Sequence, residues 1–380
     1  MRPSVSAHAL RALISAVAAL ACLLAAAVAM ASSGGSSPTA PAATQPALPA
    51  ALTPSQLVGQ KVIYSYDGAS PPAALARRVR RGEAAGVIVF AHNIPSRKAL
   101  RDAIRRLQAI PRPAGLRAPL LVMIDQEGGF VKRLNGAPSR SPAAIGATGS
   151  AAVARSEGRA TAGNLLDVGV NVNLAPVVDV GRPGRFQQRL KRSYSSDPAV
   201  VSTLGSAFAG ALQSRHVAAT LKHFPGVGVI TRDEDSQAQR VGLSLSRLRA
   251  VDERPFAAGI AAGARLVMTS TAIYPALSAR PALLSRAVST GELRGHLGFE
   301  GVSVTDDLTT RALGPYGTPA SLGLAATRAG NDLLLYAGGY DSAARSADAI
   351  TRAVRSSSLN TAELRASVAR VLVLRATLPG

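Results

Sequence analysis

Short apolar segments recur along the chain from about residue 55 onward, and each is followed by a segment with helical periodicity. The apolar segments are rich in Val, Ile, Leu and Ala, which is typical of parallel strands that are buried on both faces. Strands that alternate with helices in this way form a parallel sheet covered by helices. We predict eight strands, at residues 61–66, 86–90, 119–124, 170–174, 218–223, 264–268, 301–305 and 331–335.

The number of strands favours an α/β fold of one particular kind, a single-domain (β/α)8 TIM barrel. A chain of 380 residues has room for such a barrel, which typically needs about 250 residues. The alternative is a doubly wound open sheet, but no GxGxxG turn follows the first strand. Aromatic residues make up only 4% of the chain and Trp is absent, so Ala, Leu and Val must fill most of the core.

The N-terminal residues 1–31 have the features of an export signal. Arg2 and Arg11 supply positive charge, an apolar run follows, and the small residues of Ala29-Met30-Ala31 precede a polar segment. The run covers about 20 residues, which is also long enough to span a bilayer. We therefore expect an exported protein, and both a cleaved signal peptide and a retained N-terminal anchor remain open.

The lone cysteine bears on whether the leader is lipidated, and the segment after the leader shows where the folded domain begins. Cys22 lies inside the apolar run, which makes a poor lipidation motif because a lipoprotein would turn polar at that point. Residues 32–53 are mostly Ser, Gly, Pro, Ala and Thr, and we predict a flexible linker there. The predicted barrel occupies residues 54–380. Once the leader is removed, the chain has no thiol chemistry.

The formal net charge of +21 raises the question of a polyanionic partner. The arginines are scattered singly or in pairs along predicted helices, without a basic block or interleaved aromatic residues, so we expect no nucleic acid. A basic surface can still be attracted to an anionic cell-wall polymer or membrane surface. We expect a monomer.

Polar residues follow most of the predicted strands. In a TIM barrel the carboxyl ends of the strands meet at one face and build the active site. No HxH or HExxH spacing predicts a metal site, and no nucleophile elbow is present. A pocket of carboxylates, cations and hydroxyls suits sugars and carboxylate-driven glycoside hydrolysis. The residues expected at this face are Asp125, Asp179, Lys222, His223, Ser270, Asp306 and Tyr336.

Five motifs in order resemble the N-terminal domain of glycoside hydrolase family 3, in its bacterial β-N-acetylhexosaminidase branch. The resemblance extends over about residues 54–380. It implies a retaining mechanism without cofactor or metal, and a terminal β-linked N-acetylglucosamine, typically of peptidoglycan fragments, as substrate. The motifs are Asp125-Gln126-Glu127-Gly128-Gly129, Asn173-Leu174-Ala175-Pro176-Val177-Val178-Asp179-Val180, Arg192-Ser193-Tyr194, Lys222-His223-Phe224-Pro225-Gly226 and Val304-Thr305-Asp306-Asp307-Leu308.

The resemblance also implies roles for individual residues. Asp306 matches the nucleophile of the family. Nearby Arg and Lys would keep such a carboxylate ionised. The residues that match sugar-binding positions are Asp125, Arg133, Arg192, Lys222 and His223.

The chain departs from the family in the loop after the fifth predicted strand. Relatives carry their general acid/base as the His of an Asp-Ser-His triplet, and here the triplet reads Asp235-Ser236-Gln237. A Gln amide cannot exchange a proton at neutral pH. Asp233, Glu234 and Asp235 are the candidates to replace that His, with Asp235 preferred because it opens the triplet. Otherwise turnover of natural substrates is impaired.

Three functions remain open from the sequence. The first is an exported β-N-acetylglucosaminidase that acts on cell-wall fragments. The second is a wall-glycan-binding protein that has lost turnover, and the third is a β-glucosidase-type enzyme of the same family. Asp306 favours the two enzymes, because a pure binding protein has no need of a nucleophile.

Overall fold

A computed structural model of the protein describes residues 52–380. The predicted leader at 1–31 and all but the end of the predicted linker at 32–53 lie outside the described residues. Within the described part, no helix is both long and apolar enough to cross a membrane.

Eight parallel strands form a closed barrel, as predicted. The order around the barrel is β10-β1-β2-β3-β6-β7-β8-β9, and closure is made by the pairing of β10 with β1 and by a bridge between Val304 and Leu333. A separate antiparallel hairpin, which the sequence analysis missed, follows β3. The strands are β1 Val62–Tyr64, β2 Gly86–Ile88, β3 Leu121–Ile124, β4 Gln126–Gly128, β5 Val131–Lys132, β6 Val172–Asn173, β7 Ala218–Phe224, β8 Leu266–Thr269, β9 Val302–Thr305 and β10 Leu334–Leu335.

Helices follow the barrel strands and cover the outside of the sheet. In α3, for example, Ser96 caps the N-terminus through Ala99 N, and Leu100, Ile104 and Leu107 share the buried face. The α-helices are α1 Pro54–Gly59, α2 Ala73–Arg81, α3 Arg97–Gln108, α4 Pro142–Gly146, α5 Ala151–Leu166, α6 Phe186–Arg189, α7 Pro198–Gln213, α8 Leu245–Arg247, α9 Arg254–Ala261, α10 Pro319–Arg328, α11 Tyr340–Arg355 and α12 Thr361–Ala376.

Two predicted helices are less regular than expected. The helix predicted within residues 245–263 contains a π-helical segment, Leu248–Asp252, between α8 and α9. The helix predicted at 281–297 is a 3-10 turn, Ala282–Leu284, followed by a π-helix, Ala287–His296. Two further 3-10 turns are Ala91–Asn93 and Arg311–Tyr316.

The barrel interior is filled by apolar side chains and is closed at one end by the C-terminal helix. Val371 and Leu374 of α12, with Leu378 beyond it, belong to the same buried cluster as the inward-facing residues of the strands, such as Met123 and Leu266. A second, larger apolar cluster lies between the strands and the surrounding helices. The opposite end of the barrel, where the strands end, therefore remains free to form a site.

Candidate active site

A cavity of about 280 Å³ lies at the carboxyl ends of the barrel strands. Its lining comes from β2, β4, β5, β7, β8 and β10 and from the loops after β3, β6, β7 and β9. The nine residues for which the sequence analysis predicted a catalytic or sugar-binding role all line this cavity. They are Asp125, Arg133, Arg192, Lys222, His223, Asp233, Glu234, Asp235 and Asp306.

One side of the cavity, which we call the ion-pair wall, consists of Asp125, Glu127, Arg192 and Lys222. The Lys222 ammonium lies 2.7 Å from a carboxylate oxygen of Asp125 and 2.7 Å from one of Glu127. Arg192 donates two hydrogen bonds to Glu127, at 2.9 and 2.8 Å. Burial alone would raise the pKa of Glu127, but the charges of Arg192 and Lys222 outweigh it and hold this pKa well below its usual range.

The β4–β5 hairpin positions Arg133 at the rim beside the ion-pair wall. The side-chain oxygen of Gln126 accepts hydrogen bonds from the backbone N–H groups of Arg133 and Leu134, at 3.1 and 3.0 Å. The Arg133 guanidinium lies 3.7 Å from Asp125 and 6.0 Å from the centre of the Phe90 ring. Because a third of its side chain is exposed, Arg133 can meet a ligand that enters the cavity.

His223 is oriented by a buried carboxylate beneath it. Its Nδ1 lies 2.8 Å from Asp179, which also accepts hydrogen bonds from the backbone N–H groups of His223 and Val227. Burial opposes a charge on the imidazole, but the carboxylate of Asp179 outweighs this effect and raises the pKa of His223. The other ring nitrogen, Nε2, lies 3.5 Å from Arg192.

The opposite side of the cavity, which we call the acid wall, consists of Glu234, Asp235 and Asp306. One oxygen of Glu234 accepts hydrogen bonds from the Ser270 hydroxyl at 2.5 Å and from the N–H and hydroxyl of Thr271, both at 3.1 Å. Its other oxygen is buried without a hydrogen-bond partner among the described residues. Burial raises the pKa of Glu234 to about 7, and the negative charge of Asp306 adds to the shift.

Asp306 follows β9 directly and is close to Glu234. Carboxylate oxygens of the two residues and a ring nitrogen of His223 all lie within 4.8 Å of one another. The backbone N–H of Asp306 donates to the carbonyl of Thr269 at 2.9 Å, which fixes its place at the strand end. The pKa of Asp235 is also raised, by burial and then by the charge of Asp306.

Three other polar residues at the strand ends make hydrogen bonds that hold the surrounding structure. Asp307 accepts hydrogen bonds from Thr309 and from the N–H of Ala337, so it holds the following turn. Ser270 lies behind Glu234 as its hydrogen-bond donor. The expectation that Tyr336 faces the site is wrong, because its hydroxyl is buried against Ser346 of α11.

Two residues hold the site together without having been assigned a role from the sequence: Glu127, which appeared only within a motif, and Asp179, which was expected at this face. For Glu127 a signal exists in the sequence. Alternate residues of an extended segment point the same way, so Glu127 follows Asp125 on one face. For Asp179 the sequence carries no signal of its contact with His223, because the two residues are 44 positions apart in the chain.

Among the described residues, two groups bring three possible metal ligands together. The first is His223, Glu234 and Asp306, and the second is Glu253, Glu292 and His296. In the first group the His223 nitrogen nearer to Glu234, 3.9 Å away, is already hydrogen-bonded to Asp179. This arrangement suits proton exchange, and we assign no metal to it.

A TIM barrel that brings several carboxylates, at least one of raised pKa, together with a wall of fixed ion pairs is typical of glycoside hydrolases. The sequence model of the Glycosyl hydrolase family 3 N terminal domain matches residues 55–374. The chain therefore belongs to glycoside hydrolase family 3, and it is a glycoside hydrolase.

Named relatives agree with this assignment. An "Uncharacterized secreted glycosyl hydrolase" of Arthroderma benhamiae is 36% identical over 84% of this chain and 92% of its own. A "Beta-hexosaminidase" of Stenotrophomonas maltophilia is 36% identical over 75% of this chain and 84% of its own.

Solved structures show the same fold. A family 3 β-N-acetylglucosaminidase from Paenibacillus sp. has a TM-score of 0.82 at 34% identity, covering 87% of this chain and 64% of that chain. A β-N-acetylhexosaminidase from Beutenbergia cavernae has a TM-score of 0.79 at 29% identity, covering 86% of this chain and 99% of that one.

Proposed function

We propose that the protein is an exported, retaining β-N-acetylhexosaminidase that removes terminal β-linked N-acetylglucosamine from peptidoglycan-derived fragments. One observation carries the catalytic part: carboxylate oxygens of Asp306 and Glu234 lie within 4.8 Å of each other. Retaining glycosidases place their two carboxyl groups about 5 Å apart, whereas inverting enzymes leave a wider gap for water. The names of the hexosaminidase relatives support the choice of sugar.

In this proposal Asp306 is the nucleophile. Its carboxylate attacks the anomeric carbon of the terminal sugar and forms a glycosyl ester, while the bond to the leaving oxygen breaks. A water molecule then attacks the same carbon and releases Asp306, so the configuration of the sugar is retained.

Glu234 is the best-placed proton donor of the three loop acids. It is protonated for much of the time near neutrality, since its pKa is about 7, and its unpartnered oxygen is buried near His223 and Asp306. Glu234 would give its proton to the leaving oxygen and take one back from the attacking water. Asp235, which the sequence favoured, is the second candidate because its pKa is also raised.

The ion-pair wall would hold the hydroxyl groups of the sugar. Asp125 can accept hydrogen bonds from hydroxyls, while Lys222, Arg192, Arg133 and His223 can donate them. A cavity of about 280 Å³ is at the small end for ligand sites, which suits one terminal sugar rather than an internal stretch of a chain.

A panel of aryl β-glycosides tests the proposal. We expect the N-acetylglucosaminide to be hydrolysed faster than the glucoside and xyloside, and Asp306→Ala to lose about 10⁴-fold or more in turnover. Asp341→Ala, an exposed carboxylate in α11, is the control and should retain wild-type turnover. Equal turnover by Asp306→Ala and the control would refute the role of Asp306.

Export is tested separately in the native host. The proposed leader at 1–31 should deliver the protein beyond the cytoplasm, and the word "secreted" in the name of the fungal relative supports this. Cell fractionation should find the protein outside the cytoplasm, and a variant without residues 1–31 inside it. Full-length wild-type protein in the cytosol would rule out export.

A further inference from the structure

A second cavity, of about 420 Å³, lies at the end of the barrel remote from the active site. Lys61 directly precedes β1 and Asn331 shortly precedes β10, so this cavity is at the amino ends of the strands. Its other walls come from the π-helix Ala287–His296, from α10 and from α12.

Positive charge dominates this cavity. The cationic side chains that line it are Lys61, Arg286, Arg294, Arg328 and Arg370. They are opposed by two carboxylates. Glu363 pairs with Arg286 at the rim, and the buried Asp332 lies between Arg294 and Arg370. The cations therefore outnumber the carboxylates by three when Lys61 is protonated.

Several donors in the cavity have spare capacity for an acceptor. The fully buried Lys61 ammonium donates to Asn331 O at 2.7 Å and to the Ser367 hydroxyl, which leaves one of its three N–H groups unused. Arg294 Nε is buried without a hydrogen-bond partner among the described residues. Within residues 52–380, the one hydrogen bond that the Arg328 side chain donates is to Ser358 O, at 3.5 Å. Buried donors without acceptors are costly, so a ligand that supplies acceptors would be stabilised there.

We propose that this cavity binds a tetrahedral oxyanion of the kind that a phosphate group presents. Guanidinium groups match the oxygen spacing of such anions, and an ammonium adds a point charge. Arg286 and Arg328 lie at the exposed rim, so the phosphate can be free or part of a larger polymer. The bound anion would join the π-helix, α10 and α12 to the barrel.

Proton linkage gives the site a distinguishing property. The pKa of Lys61 is lowered to about 7. Burial is the main cause, Asp332 opposes the shift, and the charges of Arg370 and Arg294 add to it. An anion in the cavity stabilises the protonated ammonium, so the folded protein should bind the anion more tightly at pH 6 than at pH 8. The charged groups that act on Lys61 are Asp332 from the chain before β10, Arg370 from α12 and Arg294 from the π-helix.

Sulfate is the appropriate probe because its charge is constant between pH 6 and pH 8. The melting temperature is measured against sulfate concentration, with chloride keeping the ionic strength fixed. Wild type should show a saturable rise, and Arg328→Gln should need about tenfold more sulfate to reach half of it. Arg159→Gln, an exposed arginine of α5, serves as the control and should match wild type. Hydrolysis of aryl glycosides should be the same in all three.

General stabilisation by sulfate would act equally on all three proteins. An equal rise in wild type, Arg328→Gln and Arg159→Gln, or a rise that does not saturate, would therefore overturn the proposal. Lys61→Met, where it folds, should abolish the difference between pH 6 and pH 8. Inorganic phosphate and a glycerol-phosphate polymer are then compared as competitors of sulfate. The stronger competitor identifies the source of the phosphate group, and failure of both rejects the site.

Discussion

The ion-pair wall and the acid wall of the active site use the same functional group in opposite ways. Glu127 and Glu234 are both buried carboxylates at the edge of one cavity. Burial raises the pKa of both, but two cations hold that of Glu127 well below its usual range. The pKa of Glu234 stays raised to about 7, because burial and the charge of Asp306 outweigh the effects of His223 and of the hydrogen bond from Ser270. Partners, rather than residue type, decide whether a carboxylate stays charged or can carry a proton.

The two walls are suited to different tasks, one to holding a constant charge and the other to proton exchange. A carboxylate that is fixed by Lys222 and Arg192 presents a constant charge and keeps those cations in place for the sugar. A carboxylate near its midpoint at neutral pH can both give and accept a proton during one catalytic cycle.

Glu234→Gln should abolish proton transfer while keeping the contacts to Ser270 and Thr271, because the amide oxygen can still accept. We expect a loss of about 10²–10⁴-fold in turnover of a natural disaccharide. Glycosylation by an aryl glycoside should suffer far less, because its leaving group needs little protonation. Asp235→Asn and Asp233→Asn are the matched variants. If Asp235→Asn alone shows this pattern, Asp235 is the donor and the assignment of Glu234 is wrong.

Substitution of the two glutamates should change stability in opposite directions. Glu127→Gln removes the carboxylate that pairs with Arg192 and leaves Lys222 with Asp125 alone, which should cost about 3–5 kcal/mol of unfolding free energy at pH 8. Glu234→Gln should instead stabilise the protein at pH 8. Folding raises the pKa of Glu234, so the unfolding free energy of wild type falls as pH increases from the pKa of an unfolded glutamate to about 7. Glu234→Gln cannot ionise at this position and has no such loss.

Urea unfolding at pH 8 and pH 5 measures both effects. The advantage of Glu234→Gln should shrink at pH 5, because Glu234 is then largely protonated in the folded protein. The wild-type contribution of Glu127 has the opposite sign and disappears only as pH falls below the ordinary glutamate range. Destabilisation by both variants to the same extent would contradict the contrast between the walls.

Arg133→Ala should weaken sugar binding without touching proton transfer. One lost hydrogen bond from a charged group is worth about 1–3 kcal/mol, or roughly 5- to 150-fold in kcat/KM. The neighbouring Lys132→Ala in the same hairpin is the control, because Lys132 does not line the cavity. Equal values for Arg133→Ala and Lys132→Ala would remove Arg133 from the binding surface.

The disaccharide rate should also report the proton on Glu234. In wild type, kcat/KM should fall about tenfold per pH unit above about 7 as that proton is lost. Glu234→Gln should lack this limb of the profile. A wild-type profile that stays flat to pH 9 would show that the donor has a different pKa.

Gln237→His should have the smallest effect, although it restores the residue type of the family. Gln237 is exposed, does not line the cavity and accepts a weak hydrogen bond from Arg232 at 3.4 Å. A substitution there should change the disaccharide rate by no more than roughly twofold, as for a surface site. A gain of tenfold or more would mean that the loop moves this position into the cavity during catalysis.

Periodicity was enough to predict the barrel, since buried parallel strands and amphipathic helices have distinct patterns. The motifs and the loop after the fifth strand predicted nine of the residues that line the cavity. The sequence could not predict which of the three loop acids is best placed as proton donor. Ser270 and Thr271, which donate hydrogen bonds to Glu234, follow a different strand, β8. The π-helical segments were missed as well, because their apolar spacing resembles that of an α-helix.

The helix α12 makes the inner core of the barrel depend on residues that come after all eight strands in the sequence. Val371, Leu374 and Leu378 fill the amino end of the strand cluster, and Asn171 donates a hydrogen bond to the carbonyl of Pro379 at 2.8 Å. A nascent chain that has released all eight strands still has an open interior. Completion of the inner core must therefore wait until residues 371–379 have left the ribosome.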